Sequence, residues 1–200
     1  MNSSELTKRL LSIDPSFTEV VLRFPNCPLL IPNKSKLDPF ASLVSTIISQ
    51  QLSGKAAKTI SERVEKEFEI DPLVLANTTT EALRALGLSA AKVRAIKELS
   101  KAINSNIINI SELKDLPPVS IRTTLTKIWG IGDWTVDMFL MFEIKELDVW
   151  PIKDLGVQKG WQLLHELPTR PTPDQLMPLG EPLRGIRSLA AWYCWRALEL

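Results

Sequence analysis

Histidine, cysteine and tyrosine are scarce in this chain, with one His, two Cys and one Tyr among 200 residues. Each scarcity removes a class of chemistry. Cys27 and Cys194 stand far outside any metal-ligand spacing and His165 is alone, which excludes a structural zinc site, a cysteine-ligated iron–sulfur cluster and a histidine-centred relay. Both thiols are expected to be reduced and packed. Charge of one sign is lacking too: 24 basic and 23 acidic residues leave a net +1. That balance argues against a nonspecific nucleic-acid coat and leaves room for a local phosphate clamp. No apolar run approaches the length of a bilayer span, and residues 1–10 are too polar for a signal peptide. The expectation is a protein with no membrane attachment, in the cytoplasm of a bacterium or the nucleus of a eukaryote.

A hydrophobic content of 44% is enough for a real core, so disorder is not expected over most of the chain. The period of the apolar residues is helical nearly throughout. Asp38 and Pro39 form a cap and a first-turn proline, and Phe40, Leu43, Val44, Ile47 and Ile48 follow on one face. Ala56, Ala57, Ile60, Val64 and Phe68 mark a second helix after Ser49-Gln50-Gln51 and Gly54. Thr79 or Thr80 caps a short third with Leu83 and Leu86, closed by Gly87, and Ser89 opens a fourth with Val93, Ile96 and Leu99. Pro117-Pro118 breaks the chain before a further helix. Pro168, Pro171 and Pro173 read as a loop, and a last helix is expected from about Leu183 to the end. Leu147-Asp148-Val149-Trp150 reads as a brief extended piece. No strand pattern and no repeat occurs, so the expected class is all-α.

The densest information lies in Leu125-Thr126-Lys127-Ile128-Trp129-Gly130-Ile131-Gly132-Asp133-Trp134-Thr135-Val136. Gly130 and Gly132 permit a sharp turn between two helices. The start of the second helix gathers amide N–H groups and the positive end of a helix dipole, which suits a phosphate, and Thr135 offers a hydroxyl nearby. Alone, a Gly-x-Gly corner more often only relieves steric strain. The whole pattern resembles the helix–hairpin–helix element of the DNA glycosylase superfamily that includes endonuclease III, nearest to its 3-methyladenine DNA glycosylase II branch. Four further segments share the resemblance: Asp38 to Ser53, Leu86-Gly87-Leu88-Ser89 with Lys92, Trp150-Pro151-Ile152-Lys153-Asp154-Leu155-Gly156, and Arg187 to Arg196. Together they cover about residues 37–197.

The resemblance implies a set of roles. Asp154, which by spacing alone is an N-cap for the helix that follows, matches the family's catalytic aspartate. Lys153 replaces the second acid that relatives often carry before it. Trp134 stands where glycosylases that also cut the strand carry a lysine nucleophile, so base release without strand cleavage is expected. Trp134 also suits a pocket for cationic alkylated purines by stacking and cation–π attraction, with Trp129 and Trp150 as weaker candidates that more often serve packing. Gln51 matches the wedge that fills the gap left by a flipped base, while Gln50 reads as a polar helix-end residue. Lys92, Arg187, Thr135, Gly130 and Gly132 are the phosphate-binding candidates. Leu183 and Ile186 replace aromatics that relatives place before the Arg187-Ser188 pair, which leaves the preferred lesion open.

The implied architecture is two helical lobes flanking a DNA-binding cleft. Residues 37–142 form the central lobe with the hairpin, and 1–36 with 143–200 form the other, carrying Asp154. The N-terminal sheet domain of larger relatives is expected to be missing. No organic cofactor and no catalytic metal is implied, though a monovalent cation on carbonyls of the hairpin at Gly130 and Gly132 fits the family. The expected partner is double-stranded DNA with damaged bases, bound by a monomer. The expected activity is hydrolysis of the N-glycosidic bond of 3-methyladenine- and 7-methylguanine-type bases in base excision repair. The alternatives are a glycosylase for uracil, mismatched or oxidised bases, and a noncatalytic DNA-binding module.

Overall fold

Helical periodicity becomes helix throughout. The computed structural model describes residues 2–31 and 38–200, and no strand occurs among them. The α-helices are α1 Ser3–Ile13, α2 Thr18–Arg23, α3 Pro39–Ser49, α4 Gly54–Glu67, α5 Pro72–Asn77, α6 Thr80–Ala85, α7 Ala90–Asn104, α8 Pro118–Leu125, α9 Asp133–Phe139, α10 Leu155–Leu164, α11 Pro173–Leu179 and α12 Arg187–Ala197. A π-helical segment, Leu140–Ile144, continues directly from α9. The chain divides into two compact units, Ser35–Phe139 and Met1–Lys34 with Leu140–Leu200. The boundary expected at residues 36 and 37 lies outside the described residues.

In the Ser35–Phe139 unit, α3 is the central helix and packs on α4, α7 and α9. Its start follows from its sequence: the Asp38 carboxylate accepts the Phe40 N–H at 2.9 Å, and Pro39 occupies the first turn. Phe40, Leu43, Val44, Ile47 and Ile48 are all buried, a stripe wide enough to serve three neighbours. Ser53, Thr79 and Ser89 cap α4, α6 and α7 through their side-chain oxygens.

In the other unit, α10 and α12 cross at close range. Gly156 and Gly160 sit one turn apart on α10 and make that approach possible. A Cβ on Gly160 would fall 1.9 Å from the Cys194 carbonyl oxygen, and one on Gly156 2.7 Å from Trp195 Cδ1. Helix α12 is buried continuously from Ser188 to Cys194. Cys27 and Cys194 are buried free thiols; burial pushes Cys27 up to about 11 and Cys194 well above its ordinary range, so neither is a reactive thiolate. His165 stacks on Trp161 at 4.0 Å and places Nε2 2.8 Å from Asp14 Oδ2, tying the end of α10 to the start of the chain.

Two expectations are corrected here. The last helix begins at Arg187 rather than about Leu183, because Gly185 takes a left-handed conformation (φ +85°) and donates its N–H to Asp148 Oδ1 at 2.6 Å. The proline-rich stretch is not all loop. Pro173 opens α11, where Thr172 and Gln175 form a reciprocal capping box, so that proline marks a helix start.

The crossing at Gly160 leaves no room for a methyl group. Gly160→Ala is expected to destabilise the protein by about 3 kcal/mol, which for a chain of this size lowers the melting temperature by about 6–12 °C in a thermal scan. An unchanged melting temperature would show that the two helices can part freely.

Candidate nucleic-acid interface and active site

Helix α8 ends at Leu125, and the chain turns through residues 126–132 into α9. Buried Ile128 and Ile131 anchor the turn, while Lys127, Trp129, Gly130 and Gly132 face solvent. The Ile128 N–H donates to Leu125 O and the Ile131 N–H to Ile128 O, both at 3.1 Å. The two glycines do different work. Gly130 has φ +84°, and a Cβ there would lie 2.5 Å from Ala95 Cβ on α7, so both backbone and packing require glycine. A Cβ on Gly132 would meet no atom within 4 Å. Gly132 therefore leaves open the space in front of the α9 start, where amide donors and the helix dipole favour an anion. Arg122 on α8 pairs with Asp137 and, at 3.4 Å, with Asp133, clamping the two helices of the motif.

The turn after α3 is bound to this hairpin. The Leu52 N–H donates to Ser49 O at 3.1 Å, with Gln50 at φ −49°, ψ 126° and Gln51 at φ +56°. That is the form of a type II turn, with Gln51 at the vertex normally held by glycine. The left-handed conformation costs about 1 kcal/mol for a side-chain-bearing residue, and it leaves Gln51 exposed. Gln50 points the other way: its Nε2 donates to Gly130 O at 3.0 Å and to Thr135 Oγ1 at 2.8 Å. Lys92 Nζ donates to Ile48 O at 2.7 Å, closing the C-terminal end of α3. Partial burial holds the Lys92 ammonium below its ordinary range.

In the other unit, Asp154 caps α10 as its spacing predicts. Its Oδ1 accepts the Val157 N–H at 2.8 Å and the Trp195 indole N–H, also at 2.8 Å. Trp195 stacks on Phe142 of the π-helical segment, with ring centroids 5.9 Å apart. The loop before Asp154 is held by buried Gln158, whose Nε2 donates to Ile152 O at 2.6 Å.

A profile of the HhH-GPD superfamily of base excision DNA repair proteins matches residues 44–184. The chain belongs to this superfamily. It is 35% identical over 177 residues to DNA-3-methyladenine glycosylase 1 of Schizosaccharomyces pombe, covering 84% of this chain and 77% of that one. It is 28% identical to the alkylbase DNA glycosidase-like protein mag2 of the same yeast, covering 96% and 92%. The solved structure of the S. pombe 3-methyladenine DNA glycosylase in complex with abasic DNA superposes with a TM-score of 0.89 at 32% identity, covering 98% and 97%.

Within this HhH-GPD chain, the expected site residues take several positions. Trp134 lines a cavity of about 500 Å³ with Ser45, Ser49, Leu52 and Lys58. Trp129 does not line it; it is 42% exposed at the hairpin, with the Arg94 guanidinium 4.0 Å above its ring. Trp150 donates its indole N–H to Leu176 O at 2.9 Å and packs edge-on against Trp161, a structural setting. Thr135 is 1% exposed, because it falls on the inner face of α9, and its hydroxyl supports Gln50. Arg187 makes a two-pronged contact with Asp148, Nε to Oδ1 at 2.6 Å and Nη2 to Oδ2 at 2.9 Å. Burial draws the Asp148 carboxyl upward, but hydrogen bonds from Arg187 and the Gly185 N–H, with the Arg187 charge, outweigh it and hold it below its ordinary value. Ser188 Oγ donates to Glu146 O at 2.7 Å and accepts the Val149 N–H at 2.9 Å. The Arg187-Ser188 pair thus fastens the segment that leads to Asp154.

Two contacts were not foreseen from the sequence, the Trp195 indole on Asp154 and the Gln50 amide on the hairpin. The nearest signal for Trp195 is the spacing of Gly156 and Gly160, which announces a helix crossing without naming its partner. The hairpin carbonyls of Gly130 and Gly132 each already accept one hydrogen bond, Gly130 O from Gln50 and Gly132 O from the Val136 N–H at 3.2 Å. Among the described residues, no group of three or more His, Cys, Asp or Glu side chains is placed to hold a metal ion.

The two hairpin glycines separate by substitution. Gly130→Ala is expected to cost about 3 kcal/mol, from left-handed strain and overpacking on Ala95. Gly132→Ala is expected to change stability by less than about 0.5 kcal/mol while weakening duplex binding several-fold. Thermal scans and fluorescence anisotropy with duplex DNA distinguish them; undiminished binding by Gly132→Ala would remove this corner as the phosphate seat.

Proposed function

We propose that this chain is a monofunctional DNA glycosylase, a monomer that hydrolyses the N-glycosidic bond of alkylated bases of the 3-methyladenine and 7-methylguanine class in duplex DNA. The observation that carries the reading is the Asp154 carboxylate, fixed by the Val157 amide and the Trp195 indole at the start of α10. A relative that shares 35% identity bears the name of that activity.

The chemistry follows from a fixed negative charge. The glycosidic bond is inaccessible in the base stack, so the target nucleotide must rotate out of the duplex. The hairpin amides at Gly130 and Gly132 hold a phosphate of the backbone, and exposed Gln51 enters the space the base vacates. As the C1′–N bond lengthens, the electron pair leaves with the base and positive charge grows on the deoxyribose. An alkylated purine that starts cationic departs neutral, so no strong general acid is required. A pre-oriented carboxylate lowers the energy of the sugar cation electrostatically. Water then adds at C1′, and its proton passes to Asp154 or to solvent.

Trp134 supports release without strand cleavage. An indole has no amine to form a Schiff base with the opened sugar, whereas its face suits a cationic purine. Thr135, Lys92 and Arg187 support this machinery through Gln50, the α3 end and the Asp148 segment. A monovalent cation at the hairpin would use the second lone pairs of the Gly130 and Gly132 carbonyls.

The test follows free bases released from methylated duplex DNA by the parent and by Asp154→Asn. The expected outcome is release of 3-methyladenine or 7-methylguanine by the parent, loss of about 100-fold or more in the variant, retained DNA binding, and product strands that break only on alkaline treatment. No release by a folded, DNA-binding parent would contradict the substrate class and turn the search to uracil, mismatched and oxidised bases. Strand breakage without alkali would contradict the monofunctional assignment.

A further inference from the structure

Within the Ser35–Phe139 unit, the amide of Gln50 joins the turn after α3 to Gly130 and Thr135, which lie 80 and 85 residues further along the chain. Its orientation is chemically determined: only the nitrogen end of an amide can face the Gly130 carbonyl, so Nε2 is the donor, and the second N–H reaches Thr135 Oγ1. Thr135 is buried and Gly130 is pressed on Ala95, so both acceptors belong to a rigid part of the hairpin. On the other side, Gln50 is the residue before the left-handed vertex at Gln51, and Lys92 grips Ile48 O two residues earlier. The backbone at Gln51 is thereby held from both directions in a conformation that is intrinsically unfavourable for it.

We infer that Gln50 is a positioning residue that couples the phosphate-holding hairpin to the wedge side chain of Gln51. The inference rests on the glycosylase reading above, in which Gln51 enters the duplex and the hairpin holds the backbone. The physical argument is one of leverage. Polar contacts of fixed geometry leave a turn little room to relax, and Gln51 would otherwise drift toward an extended or right-handed conformation that redirects its side chain. A phosphate seated on the hairpin then defines where Gln51 stands relative to the base pairs. Without the two Gln50 hydrogen bonds, the hairpin still holds phosphate, but the wedge is no longer aligned with it. A merely structural Gln50 would instead affect stability alone.

The test reads wedge insertion without requiring catalysis. Duplex DNA carries a tetrahydrofuran abasic analogue opposite 2-aminopurine, whose fluorescence rises when a protein side chain disturbs its stacking. Protein is added to saturation as judged by anisotropy. The parent is expected to raise the fluorescence, and Gln51→Ala to abolish the rise. Gln50→Met, which keeps length without donors, is expected to bind this duplex and give a rise smaller by more than about fivefold, since it removes two hydrogen bonds and one net intramolecular hydrogen bond alone is worth about that factor. Combining Gln50→Met with Gln51→Ala is expected to add nothing to Gln51→Ala alone. Thr135→Val, which removes one acceptor and keeps the other, is expected to give an intermediate rise and carries the test if Gln50→Met does not fold. A full rise from folded Gln50→Met or Thr135→Val would overturn the coupling. Failure of the glycosylase reading looks different: no base is released from methylated DNA, while the fluorescence pattern stands.

Discussion

The hydrogen bond from the Trp195 indole to Asp154 Oδ1 is the contact around which the unit that carries Asp154 is arranged. It requires α12 to pass close to the start of α10, which Gly156 and Gly160 allow by having no side chain at the crossing. It requires the indole to keep its orientation, which Phe142 provides by stacking. The approach of the chain to Asp154 must be fixed as well. Arg187 and Ser188 do this by holding Asp148, Glu146 and Val149, and Gln158 holds Ile152. A carboxylate so constrained has little freedom left to reorient, which is what the proposed role of Asp154 requires.

The Ser35–Phe139 unit follows the same logic. Its central helix ends in a turn that local energetics disfavour at Gln51, and the cost is offset by contacts from α7 and the hairpin. The glycines of the hairpin divide between fold and surface: Gly130 lets the turn reach Ala95, and Gly132 keeps the approach to α9 clear. Strain and openness fall where a DNA strand would be engaged.

Local rules made much of this legible. The cap at Asp38, the apolar stripe of α3, the caps at Ser89 and Asp154 and the hairpin itself rest on patterns within one or two helical turns, and those patterns are realised. What was not legible depends on contacts between distant segments. Lys92 reads as a surface cation because nothing near it in sequence announces Ile48 O. Thr135 reads as a donor at a helix start until the rotation of α9 turns it inward. Arg187 finds its carboxylate 39 residues away and Trp195 its own 41 residues away. Pro173 reads as part of a loop because proline signals both a break and a helix beginning, and only the Thr172–Gln175 pair tells them apart.

In the proposed mechanism Asp154 acts by virtue of how it is held, so the most direct measurement is single-turnover release of 3-methyladenine by Trp195→Phe, which keeps an aromatic ring beside Phe142 and removes the indole N–H. The predicted result is a fall of about tenfold or more in the rate of base release, with affinity for abasic duplex DNA unchanged. An unchanged rate in a folded variant would contradict the claim that the Trp195 bond sets the catalytic carboxylate.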